Sequence, residues 1–148
     1  MKLYNVKNYG ALCDGVTDDG DAIQKAIDDC HKNGGGTVVL EAAGTYYSHS
    51  IALKENVELY IQKGAVLKAS ADIESYIRPC STINDPKTAL VGNPVTGKPS
   101  FAFIYGYEAH GCVISGEGTI DANCYAFVER KDQYYVTGNF YPRPTVIY

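Results

Sequence analysis

The chain has 148 residues, 45% of them apolar, which is enough for one buried core and predicts a single domain over 1–148. A formal net charge of −4 with no basic cluster argues against a nucleic-acid or anionic-membrane surface, and no apolar run approaches the length of a membrane span. Five cysteines, Cys13, Cys30, Cys80, Cys112 and Cys124, are odd in number and include no C-x-x-C pair, a usage that fits reduced thiols better than a disulfide framework.

The chain begins Met1-Lys2-Leu3-Tyr4-Asn5-Val6, without an apolar run long enough for a signal peptide. A cytoplasmic location is therefore expected, or an extracellular one if a leader was removed. Leu3 to Val6 reads as a first strand. A loop over 9–19 then runs into an amphipathic helix expected over about 19–33. Ala22, Ile23, Ala26, Ile27 and Cys30 draw one apolar stripe down that helix. Asp18 or Asp19 is placed to cap it, and Asp21 adds negative charge where the helix dipole favours it. Asn33-Gly34-Gly35-Gly36 ends it, because glycine takes the left-handed conformation of a C-terminal cap. Thr37-Val38-Val39-Leu40 reads as a buried strand, and Gly44-Thr45-Tyr46-Tyr47 starts another. One helix closing one end of a stack of short strands is the simplest arrangement.

The pieces Tyr9-Gly10-Ala11, Asp14-Gly15-Val16-Thr17-Asp18-Asp19, Asp21-Ala22-Ile23, Gly34-Gly35-Gly36-Thr37-Val38 and Gly44-Thr45-Tyr46 come in a distinctive order. Together they resemble the N-terminal signature of the pectate-lyase-like superfamily. The resemblance implies an all-β fold, a single-stranded right-handed parallel β-helix of the pectin-lyase-like type with an N-terminal capping α-helix. It leaves the activity open, since hydrolases, lyases, epimerases and phage tail spikes share that signature.

After Tyr47 come short apolar runs, Ile51-Ala52-Leu53, Val57 to Ile61 and Ala65-Val66-Leu67, separated by Lys54-Glu55-Asn56 and Gln62-Lys63-Gly64. Short strands without intervening helices suit a solenoid. A second copy follows, with Val113 to Asp121 set on Leu59 to Leu67 and Gly118 aligned on Gly64. Between the copies, about 72–100 reads as a long loop holding Pro79, Pro86, Pro94 and Pro99, a length that compact domains keep for function or leave disordered. Phe101 to Tyr105 resumes the strands. The tail over 124–138 reads as a further loop, and Thr145-Val146-Ile147-Tyr148 as a strand.

Within the superfamily, Ser100 to Asp121, Arg143-Pro144 before an apolar strand, and Ala65 to Ser70 resemble the N-terminal half of polygalacturonases of glycoside hydrolase family 28. Departures are Leu40-Glu41-Ala42-Ala43 in place of a proline before Gly44, and Ala122-Asn123 after Asp121 in place of glycine. The resemblance implies catalytic aspartates downstream of Tyr148, so no catalytic residue is assigned in this chain.

The candidate chemistry is correspondingly spare. Glycoside hydrolysis needs two opposed carboxyl groups, and the adjacent pairs Asp18-Asp19 and Asp28-Asp29 cannot face each other across a bond. Capping accounts for the first pair and a solvated helix face for the second. Asp121, at a strand end, is a candidate substrate-binding residue, although turn formation is the commoner role for aspartate. Arg143 could grip an acidic sugar through a bidentate fork or pin its own loop. Thirteen tyrosines and no tryptophan suit strands as well as sugar stacking. His31, His49 and His110 are scattered and show no zinc spacing, so no metal and no cofactor is expected.

The expected partner is a pectin-type polysaccharide or oligogalacturonide, with no nucleic acid and no membrane. Two classes of function remain: the front of a pectin-degrading glycoside hydrolase, inactive by itself, or a non-catalytic polysaccharide-binding β-helix module. A lyase of the same fold is a further alternative. The apolar strand at the C-terminus is expected to leave an open end prone to self-association.

Overall fold

The computed structural model describes residues 2–77, 101–127, 129–131, 134–136 and 145–148. Its strands are β1 (Leu3–Asn5), β2 (Asp14–Asp18), β3 (Gly36–Leu40), β4 (Gly44–Ser48), β5 (Ile51–Leu53), β6 (Val57–Ile61), β7 (Ala65–Ala69), β8 (Ala102–Gly106), β9 (Val113–Gly116), β10 (Thr119–Asp121), β11 (Glu129–Lys131), β12 (Tyr134–Val136) and β13 (Thr145–Ile147), with one helix, α1 (Gly20–Lys32). Three sheets form the body. The first runs β1-β3-β6-β9, the second β2-β4-β7-β10 and the third β5-β8-β13. Every pairing within them is parallel, because each coil visits the sheets in turn and the next coil stacks on it. This is the right-handed parallel β-helix expected from the sequence.

Alternation explains the core. In β6 and β7 every second residue, Val57, Leu59, Ile61, Ala65, Leu67 and Ala69, points inward and is buried. Helix α1 closes one end with Ala22, Ile23, Ala26, Ile27 and Cys30, all buried. At the other end Leu53, Ile104, Cys112, Ile114, Ile147 and Tyr148 line a hollow of about 320 Å³, and Ile147 is 56% exposed.

Several details depart from the sequence expectations. The segment expected as a loop over 9–19 contains strand β2, which pairs with β4. Asp19 stands at the N-cap, but its carboxylate makes no cap hydrogen bond. It is buried and instead accepts the amides of Leu12 (2.7 Å) and Cys13 (2.9 Å), stapling the preceding turn to the helix start. Burial pushes its pKa up, and those two amides offset only part of that. Asp18 takes the Gly20 amide at 2.8 Å. Asp28 and Asp29 are more than a solvated face. Asp28 pairs with Lys54 at 2.7 Å, and Asp29 accepts the Tyr9 hydroxyl at 2.6 Å.

The second copy is also set differently from an ungapped alignment. Leu59 pairs with Ile114 and Leu67 with Ile120, so the alignment of Gly118 on Gly64 is one residue out in each strand, in opposite directions. The cause is a shorter corner in the later coil. Gly116, at φ +105°, turns so tightly that an added Cβ would lie 2.0 Å from the Ile61 carbonyl oxygen. Of the loop expected over 72–100, the described part ends at 77 with Tyr76 buried, and 78–100 lie outside the described residues. Within the loop expected over 124–138, a 3-10 turn spans Cys124–Phe127 and β11 and β12 pair antiparallel.

Candidate functional site

Both long connections leave the same corner. One joins β7 to β8 and the other β10 to β13, so each runs from the second sheet to the third, where β4 and β5 are joined by only His49 and Ser50. The corner is built from hydrogen bonds between coils. The Ser70 amide donates to the Ser48 carbonyl at 2.8 Å, and the Asn123 side-chain amide donates to the Ala69 carbonyl at 3.0 Å. The Tyr47 phenol oxygen accepts the Ala71 amide at 2.7 Å and the Ser70 hydroxyl at 3.2 Å, fixing the start of the first connection. The Tyr76 hydroxyl donates to the Ser70 carbonyl. Burial raises the Tyr76 pKa far above that of an ordinary phenol, so this hydroxyl remains a donor.

One row of side chains crosses the second sheet beside this corner. Asp18 is the register partner of Tyr47, Tyr47 of Lys68, and Lys68 of Asp121. The alternation of β4 and β7 turns Tyr47 and Lys68 outward while Tyr46 and Leu67 are buried. Asp18 is engaged by His49, whose Nδ1 lies 3.0 Å from both carboxylate oxygens. Gly20 makes room for that ring, since a Cβ there would meet it at 2.4 Å. Lys68 has no ion-pair partner among the described residues.

The outer side of the third sheet carries a buried aromatic cluster. Tyr76 and Phe127, one from each long connection, close over Phe103, with Tyr76 6.3 Å from Phe103 and 6.2 Å from Phe127 between ring centroids. Beside them Tyr105 and Tyr148 stack at 6.0 Å with 22° between ring planes.

Asp121 ends β10 half-buried, and its Oδ1 accepts the Asn123 amide at 2.8 Å. That is the side-chain-to-backbone turn typical of aspartate, and Asn123 after it takes φ +50°. Arg143 lies outside the described residues. Sequence reasoning passed over Tyr47, Lys68, Tyr76 and Asn123. The alternation of β4 and β7 marks Tyr47 and Lys68 as outward-facing, but only the register sets them in one row with Asp121. Among the described residues no cluster of three or more His, Cys, Asp or Glu side chains could hold a metal ion. Beside the corner stand a cation, Lys68, and a turn-fixed carboxylate, Asp121, in adjacent register positions.

The fold is that of the right-handed parallel β-helix proteins. The chain belongs to the rhamnogalacturonase A/epimerase, pectate lyase-like family, whose model matches residues 3–143. It is 48% identical over 88 residues to mannuronan C5-epimerase AlgE4 of Azotobacter vinelandii, covering 60% of this chain and 16% of that protein. It is 32% identical over 105 residues to the exo-poly-alpha-D-galacturonosidase of Dickeya chrysanthemi, covering 62% of this chain and 17% of that one. The family 28 exopolygalacturonase of Yersinia enterocolitica superposes with a TM-score of 0.66 at 29% identity, covering 89% of this chain and 22% of that chain. The chain therefore spans under a quarter of the length of each of these three relatives.

Proposed function

We propose that the chain forms the N-terminal, substrate-binding portion of a polygalacturonase-like glycoside hydrolase that cleaves galacturonan, with the catalytic aspartates in downstream coils. The observation that carries this reading is the likeness to two galacturonan hydrolases, one in sequence and one in structure. In this reading a galacturonan chain lies along the corner between the second and third sheets. Lys68 pairs with a sugar carboxylate, Asp121 accepts sugar hydroxyls, and the Tyr105–Tyr148 stack offers an aromatic face to the pyranose ring. Arg143 provides a second carboxylate grip.

The 48% identity to a mannuronan epimerase favours a second reading, in which the sugar chain is alginate and the chemistry is epimerisation or β-elimination. Affinity electrophoresis of the 148-residue chain in gels cast with polygalacturonate, alginate or a neutral glucan separates the two. Retardation by polygalacturonate, weakened by Lys68→Ala and by added salt, is the expected result. Retardation by alginate alone would replace the first reading with the second, and retardation by neither would overturn both.

A further inference from the structure

The outer face of the first sheet carries a groove that the corner site does not use. It is about 420 Å³, within the usual range of ligand sites, and it crosses β1, β3 and β6. Leu3, Val39 and Tyr60 supply apolar surface, and Asn5, Glu58 and Gln62 supply polar groups. Glu58 is held from two sides, by the Thr37 hydroxyl at 2.7 Å on Oε2 and the Ser115 hydroxyl at 2.6 Å on Oε1. Those two bonds, that from Ser115 foremost, lower its pKa, so it is a fixed anion and acceptor. A carboxylate has about four lone-pair sites, and each oxygen keeps capacity for a ligand hydroxyl.

The two amides are preset in the opposite sense. The Asn5 carbonyl oxygen accepts the Lys7 amide at 2.9 Å, and the Gln62 carbonyl oxygen accepts the Ala42 amide at 2.9 Å. Each leaves an NH₂ group for a ligand oxygen. An acceptor and two donors beside an aromatic ring match the hydroxyls and the C–H face of a pyranose. The charge selects the kind of sugar, because Glu58, an anion with no ion-pair partner among the described residues, faces the groove and repels a polyuronate, while Glu41 beside it is paired with Lys7 at 3.6 Å. Strand addition by a peptide is excluded by place, since it needs a sheet edge and this groove lies on a face.

We infer that this groove is a second glycan-binding site, specific for a neutral oligosaccharide segment and separate from the corner that would hold an acidic chain. Such a site would anchor the protein on uncharged polysaccharide while the corner engages the charged one.

Titration of the ¹⁵N-labelled 148-residue chain with xylohexaose, cellohexaose and β-1,4-galactohexaose, and with trigalacturonate as the acidic control, tests this. At least one neutral sugar should shift amides of Asn5, Val39, Glu58, Tyr60 and Gln62. Tyr60→Ala should weaken that binding about tenfold, and Tyr60→Phe, which keeps the ring, should retain it with a native-like spectrum. No response to any neutral sugar would overturn the inference. So would a response of these amides to trigalacturonate alone, or shifts that follow protein concentration without sugar. The corner site can fail its own gel assay without affecting this outcome, since the two use different faces and different sugars.

Discussion

Two glycines in equivalent corners should behave very differently when replaced by alanine. Gly64 has φ +89° with nothing within 4 Å of an added Cβ, whereas Gly116 has φ +105° with the Ile61 carbonyl oxygen 2.0 Å from that position. Gly64→Ala therefore carries only the strain of a left-handed alanine, about 1 kcal/mol. Gly116→Ala adds overpacking against backbone that cannot rotate away, about 1–3 kcal/mol. The Ile61 oxygen also accepts the Gly118 amide at 2.9 Å, and moving it forfeits about 1 kcal/mol more. The expected losses are about 1 kcal/mol at Gly64 and about 3–5 kcal/mol at Gly116, the latter a large part of an ordinary domain's stability. Urea titrations of the two variants, read as a shift in midpoint at constant slope, give the comparison. Equal losses at the two positions would refute the claim that the tight corner at Gly116 sets the register of β9 and β10, and with it the position of Asp121.

Other outcomes follow from the same geometry. The purified 148-residue chain should release no reducing sugar from polygalacturonate; release that disappears in Asp121→Asn would instead make Asp121 catalytic. Glu58 has a depressed pKa, from the Ser115 and Thr37 hydroxyls in that order, so its contribution is present above the ordinary glutamate value of 4.5 and lost as pH falls through its lower folded value. Acid denaturation curves of Glu58→Gln should lack that component, and an unchanged acid limb would count against it. For Asp28 burial raises the pKa but Lys54 and Gln24 more than offset it, so Lys54→Met should remove stability above the aspartate range, by at most about 1 kcal/mol at so exposed a pair. The hollow lined by Leu53, Ile104, Ile114 and Ile147 should make the 148-residue chain self-associate. Light scattering that stays monomeric at high concentration, with a cooperative thermal transition, would refute this.

The sequence alone determined the cap and the rhythm. Ala22, Ile23, Ala26, Ile27 and Cys30 specify one helical face whatever lies beneath it, because a helix sets its own period. The inward residues of β6 and β7 are likewise legible, since alternation is a property of a single strand. Tertiary structure decided everything that depends on which coil lies beside which. The Asp19 carboxylate was free in principle to cap α1, but a buried group takes the nearest unpaired donors, and the fold supplies those of Leu12 and Cys13. The row from Asp18 through Tyr47 and Lys68 to Asp121 unites residues far apart in the chain through parallel pairing. The ungapped repeat failed for the same reason. Strand register is fixed by contacts between coils, and one tight glycine corner shifts both flanking strands without leaving any periodic mark in the sequence.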